Sequence, residues 1–174
     1  QINAILSIME KQKIVLPKGT DRDLMAMAKG IEDGCVVVFF VRDGKLMGTE
    51  NYMLSIDKDD TLEDMISSFV KQFYAGTAFI PREILLEVEI QEKTVIEEWL
   101  SGKKGSKVNI HVPKRGEKKE LLQLAYKNAL ETLEKFREKL IREKEKSEGA
   151  IEKLGDYLNL DALPNRIEAY DISN

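Results

Sequence analysis

Asp171 sits in "RIEAYDIS", where Ile167, Ala169 and Asp171 alternate with Glu168, Tyr170 and Ile172 at the two-residue period of a β-strand. A carboxylate displayed on a strand suits a hard cation such as Mg²⁺ or Mn²⁺. Two such ions, about 4 Å apart, clamp the attacking and leaving oxygens of a phosphodiester, and several converging carboxylates must offset their charge. Asp171 by itself cannot do this. His111, the one histidine, lies in the alternating run "KVNIHV" with no carboxylate spaced to orient it, so it reads as structural rather than as a general base. Cys35, the one cysteine, lies in "GCVVVFFV" and reads as a small buried hydrophobe rather than a nucleophile or ligand.

Charge supplies a second kind of chemistry. The net charge of −4 argues against a protein that coats nucleic acid indiscriminately, yet residues 103–119, "KKGSKVNIHVPKRGEKK", hold seven Lys or Arg against one Glu. Lys103, Lys104, Lys107, Lys114, Arg115, Lys118 and Lys119 are therefore the candidate phosphate contacts. The competing reading of any such run is a solvated face beside a helix start. Positive residues oppose the dipole at a helix N-terminus, so helix stability does not account for them.

The elements that must position these groups follow from periodicity. With 174 residues, 43% hydrophobic and 33% charged, the chain suits one globular core. It has no apolar run long enough to span a membrane, its opening "QINAILSIMEKQK" lacks the basic start and apolar core of a signal peptide, and one cysteine gives no internal disulfide framework, so the cytoplasm is the expected location. Ile2, Ile5, Leu6 and Met9 have helical spacing, closed by Pro17 and Gly19. "RDLMAMA", "CVVVFFV" and "LMGTENYMLSI" read as three strands joined by "EDG" and by the Asp-Gly hairpin "RDGK", with a bulge at Gly48. Asp60 and Glu63 have capping-box spacing ahead of a helix whose face is Leu62, Met65, Ile66, Phe69, Val70 and Phe73. Strand "EILLEVEI", helix "EKTVIEEWLSG" and strand "KVNIHV" follow. A long helix then runs from about Glu117, with an apolar stripe from Leu121 to Leu140, until Gly149 interrupts it. The predicted fold is α/β, a mixed five-stranded sheet in the order βββαβαβα with a long C-terminal helix.

Five strings in register, "MEKQKIVLPKGTDRD", "CVVVFFVRDGKLMG", "FVKQFY" with "IPREILL", "KRGEKKELLQLAYKNA" and "PNRIEAYDISN", resemble the central region of the UvrC family, a component of the excinuclease of nucleotide excision repair. The resemblance spans almost the whole chain. It implies that residues 1–19 are the end of the UVR helical hairpin, through which family members dock on UvrB, and that residues 149–174 are a linker and the first strand of the C-terminal endonuclease domain. Asp171 would be the first catalytic carboxylate and metal ligand of that domain in the full-length parent, which uses Mg²⁺ or Mn²⁺ to incise damaged DNA as part of the SOS response. Residues 20–148 have the element order of an RNase H-like fold. Aligning Arg22 with Arg166 sets Met27 opposite Asp171, which places a thioether where a hard cation needs oxygen. Glu87 then lacks a first-strand partner and reads as a strand-end surface charge. The expected role is a non-catalytic scaffold that contacts DNA through the basic run. The alternatives are a domain binding UvrB or another repair protein, or an autonomous nuclease.

Overall fold

The structure, a computed structural model, describes residues 21–57, 59–168, 170 and 171. The helix expected in residues 1–19 lies outside the described residues. β1 (Arg22–Lys29), β2 (Asp33–Arg42) and β3 (Lys45–Ser55) form an antiparallel meander. β4 (Glu83–Leu86) pairs parallel with β1, and β5 (Asn109–His111) pairs parallel with β4, giving the order β3-β2-β1-β4-β5. The β2–β3 turn uses Asp43 at φ 48° and Gly44 at φ 74°, the left-handed pair that matches the twist of a two-residue hairpin. The bulge falls where Phe40 pairs with Gly48 and Val41 with Leu46, so that Met47 has no partner and points its apolar side chain into solvent.

Central strands buried on both faces give continuous apolar runs, and β1 and β2 obey this rule. Met25, Met27, Val36 and Val38 face α1 (Leu62–Gly76) and α2 (Lys93–Lys104), together with Met65, Ile66, Phe69, Val70, Ile96 and Leu100. Leu24, Ala26, Ala28, Val37 and Phe39 form the other layer with Leu121, Leu122, Ala125, Ala129 and Leu133 of α3 (Glu117–Leu158). Each fully buried large apolar side chain contributes about 1.5–3 kcal/mol. α1 starts one residue later than the capping-box spacing suggests: Thr61, in extended conformation, is the N-cap, and its hydroxyl accepts from the Asp64 backbone N–H at 3.1 Å. Asp60 instead accepts from the Asp57 N–H at 3.0 Å. The hydroxyl on the Thr61 Cβ reaches an exposed N–H of the first turn, so Thr61 rather than Asp60 caps the helix.

Four expectations differ from the structure. β4 stops at Leu86 rather than Ile90, for a reason given below. Gly149 does not interrupt α3, which continues to Leu158; a single glycine weakens a helix by only about 1 kcal/mol, and the i,i+4 pairs Lys139–Glu143, Arg142–Glu138 and Lys144–Glu148 support the turns before it. The buried stripe ends at Leu133, and residues 134–174 form a separate compact unit in which Leu140 is exposed. In that unit α3 ends on Asn159 at φ 49°, with the Leu160 N–H donating to the Gly155 carbonyl at 3.0 Å. The terminal strand read from "RIEAYDIS" is not formed by its described residues: 166–168, 170 and 171 lack ladder partners, and an isolated strand leaves its backbone polar groups to water. No described helix is long and apolar enough to cross a membrane.

Candidate nucleic-acid interface

Burying charge in the centre of a sheet is costly unless it is paired, and β1 opens with two charged residues that are almost fully buried, Arg22 and Asp23. Because successive side chains point to opposite faces, the two build separate networks. On the α1 face, Asp23 accepts from the Tyr74 hydroxyl at 2.6 Å and from Arg42 Nη1 at 2.7 Å. Arg42 Nη1 also donates to the Arg22 carbonyl at 2.9 Å and the Val41 carbonyl at 2.8 Å. Burial raises the Asp23 carboxyl above its ordinary value, against the opposing pull of Tyr74 and Arg42. Burial, then the neighbouring carboxylate, pushes the Tyr74 hydroxyl well above its usual range. On the α3 face, Glu83 binds Arg22 Nε and Lys118 Nζ, with His111 Nε2 3.8 Å away. Burial disfavours the charged Glu83, but Lys118 and Arg22 outweigh it and hold the carboxyl below its normal value.

The predicted phosphate contacts divide in this frame. Lys103, in the last turn of α2, donates to the carbonyls of Tyr74, Ala75 and Thr77, closing the C-terminal end of α1, and stands 6.0 Å from the Trp99 ring centroid. Lys118 is committed to Glu83. Lys119, in the first turn of α3, lies close enough to Glu87 to pull its carboxyl towards the charged form. Lys107, Lys114 and Arg115 are exposed, and Lys104 is half-buried. Burial, then Arg82 and Arg42, depress the Lys104 ammonium, while Asp21 and Asp23 act in the opposite sense. The run therefore supplies both internal cross-links and surface cations. Arg42, Phe79 and Arg82 join the surface group from distant parts of the chain, and no local charge pattern marks them. Only the parallel β1–β4 register of the folded chain brings Arg82 towards Asp21.

The acidic candidates do not assemble. Glu87 is not a strand-end surface charge: it is half-buried and its Oε1 accepts from the Met27 backbone N–H at 2.6 Å. That N–H would otherwise continue the β1–β4 ladder, so the side chain takes over where β4 stops at Leu86. Burial raises the Glu87 carboxyl, partly offset by the Met27 bond and Lys119. Met27 is fully buried. Divalent cations such as Mg²⁺ need several oxygens, and Glu87 meets a thioether residue and an ammonium instead, so the residues here do not fit a metal pair. Asp171 is exposed, and nearby Glu168 is engaged by Arg166 and the Tyr170 hydroxyl. Among the described residues no three His, Cys, Asp or Glu side chains converge on a metal site. His111 is more than half exposed, and Cys35 is fully buried, its thiol pushed up to about 11 by burial.

A three-strand antiparallel meander extended by two parallel strands, with helices on both faces, defines an RNase H-like α/β domain, here with a cationic edge. Residues 21–136 match the family described as UvrC Ribonuclease H-like domain. The chain belongs to the UvrC family. UvrABC system protein C of Alkaliphilus oremlandii (strain OhILAs) is 48% identical over 174 residues, which is all of this chain and 28% of that protein. The proteins of the same name from Acetivibrio thermocellus and Clostridioides difficile (strain 630) are each 47% identical across the whole chain, covering 28% and 29% of their lengths. The chain thus spans little more than a quarter of the curated relatives it matches.

Proposed function

We propose that this chain is a non-cutting, DNA-contacting platform within a nucleotide excision repair nuclease. On this reading the whole protein is a cytoplasmic, metal-dependent endonuclease that incises damaged DNA on both sides of a lesion. Residues 1–19 contribute to docking on UvrB, residues 20–148 set the spacing of the flanking modules, and residues 149–174 lead into the endonuclease domain. Asp171 serves there as a ligand for Mg²⁺ or Mn²⁺ together with carboxylates from elsewhere in that domain. The observation that carries the reading is the division of the basic run. Lys103 and Lys118 are taken up by internal partners, whereas Lys107, Lys114 and Arg115 stand exposed where fold stability gives no reason for them. Phosphate contacts do give one, with affinity independent of sequence and a steep loss with salt. Occupation of Glu87 by the Met27 N–H and Lys119 supports the non-cutting part.

The test is a fluorescence-anisotropy salt titration of the chain on labelled duplex DNA. Reversing Lys107, Lys114 and Arg115 to Glu should lower the magnitude of the log K against log [salt] slope by about 2–3 while the circular dichroism is unchanged. An unaltered slope would remove the contact, and nicking of plasmid by the chain in Mg²⁺ or Mn²⁺ would remove the non-cutting assignment. A protein-binding role has its own observation: Val95 and Trp99 are exposed one turn apart on α2, beside a groove of about 210 Å³ lined also by Lys71 and Ile96. Salt-dependent titration by UvrB in place of DNA would favour it.

A further inference from the structure

Phe79 is 48% exposed, yet both residues that follow it are anchored, Ile80 at 5% exposure and Pro81 buried. The loop between α1 and β4 is therefore fixed to the core just beyond the point where it presents an aromatic ring to solvent. Beneath that ring lies the Arg42 guanidinium, its carbon 4.3 Å from the Phe79 centroid and 5.8 Å from that of Phe40. The bonds from Nη1 to Asp23 and to two backbone carbonyls leave the guanidinium little freedom, so the ring rests on a rigid cation.

Strand register places more cations on the same edge. Arg22 pairs with Val41 of β2 and with Glu83 of β4, so Arg42, Asp21 and Arg82 line up across the beginning of β1. Glu83 pairs in turn with Asn109, and the Asn109 N–H donates to the Arg82 carbonyl at 3.0 Å, which brings the segment carrying Lys107 to that edge. Lys104 at the end of α2 feels both Arg82 and Arg42 as like charges. Two acids nearby have partners of their own: Asp23 is held by Arg42 and Tyr74, and Asp21 accepts from the Asp43 N–H at 3.2 Å. Like charges gathered on one edge raise the energy of the free protein, and a polyanion relieves it.

We propose that this edge receives an unpaired stretch of DNA, one base stacking on Phe79 while flanking phosphates are held by Arg82, Lys104 and Lys107. A duplex offers the phosphates but hides its base faces, so a ring placed among cations selects for strand that is already open. The proposal rests on the DNA-contacting reading above and adds residues and a strand preference to it.

The experiment measures anisotropy of the 174-residue chain with a labelled oligothymidine of about 12 nucleotides and with a duplex of equal length. Phe79→Leu should weaken binding to the single strand about tenfold, Phe79→Tyr should retain wild-type affinity, and duplex binding should change less than about twofold in both. Arg82→Glu with Lys104→Glu should weaken both ligands and flatten both salt slopes. Equal single-strand affinity for Phe79→Leu and wild type, or equal losses on single strand and duplex, would overturn the proposal. If duplex binding depends on Lys114 and Arg115 while Phe79 and Arg82 are indifferent, this inference alone fails; if the wild-type chain binds neither DNA at low salt, the underlying reading fails with it.

Discussion

Tyr74→Phe deletes one oxygen from a side chain with no solvent exposure, whose hydroxyl donates to Asp23 Oδ2 at 2.6 Å. The variant keeps the ring and its edge contact with Phe73, at 5.0 Å between centroids, so packing is conserved and the loss is electrostatic. A buried hydrogen bond to a charged acceptor contributes about 1.5–3 kcal/mol, and no water can reach this site to replace it, so about 2 kcal/mol is expected. Urea unfolding should show this as a midpoint lower by about 1 M at unchanged slope, and heating as a Tm lower by about 4–8 °C. The pH dependence has a defined sign. Burial raises the folded-state carboxyl of Asp23, so its contribution is complete below the ordinary Asp value and is lost as pH rises through the folded value. Removing a donor that favoured the carboxylate raises that folded value further. The penalty should therefore be larger near pH ~7 than at an acid pH below the folded Asp23 value, where the carboxyl is protonated in both proteins. Asp23→Asn should suppress most of this pH dependence in a double-mutant cycle. A penalty below about 0.5 kcal/mol, or one equal at both pH values, would refute the assignment of the Asp23–Tyr74–Arg42 network as the support of this sheet edge.

Two further outcomes follow from the same networks. Arg22 and Lys118 hold the Glu83 carboxyl below its usual value, so the stability it contributes is present above the unfolded value and lost as pH falls through the folded one; Glu83→Gln should destabilise at neutral pH and flatten acid unfolding, read from urea midpoints between about pH 3 and 7. Lys103→Met should lower stability by about 1–2 kcal/mol by freeing the carbonyls of Tyr74, Ala75 and Thr77, while the duplex-DNA salt slope stays at the wild-type value; a slope smaller by about 1 would instead make Lys103 a phosphate contact.

Local chemistry is enough to place most elements of this domain. The apolar run of β2, the Asp43–Gly44 hairpin, the face of α1 and the bulge before Gly48 are each written within a dozen residues, because side-chain periodicity and left-handed turn geometry act at that range. Where local signals compete, neighbours in space decide. β4 ends early because the Glu87 carboxylate takes the Met27 N–H, a contact 60 residues distant in sequence. Gly149 is absorbed because propagating an existing helix is easier than ending it.

The site divides along the same line. Sequence alone established the RNase H-like element order, the family and the location of a basic run, since each is a property of consecutive residues. Tertiary structure decided what those charges do. The partner of Lys118 lies 35 residues away and those of Lys103 lie 26–29 residues away, and each of these lysines became part of the fold. The edge that joins Arg42, Phe79, Arg82 and Lys104 draws on three separate segments, brought together by strand register and by the docking of α1 and α2 on the sheet. A charge is defined by its neighbours within a few ångströms, and in a folded chain those neighbours are chosen by packing rather than by position along the sequence.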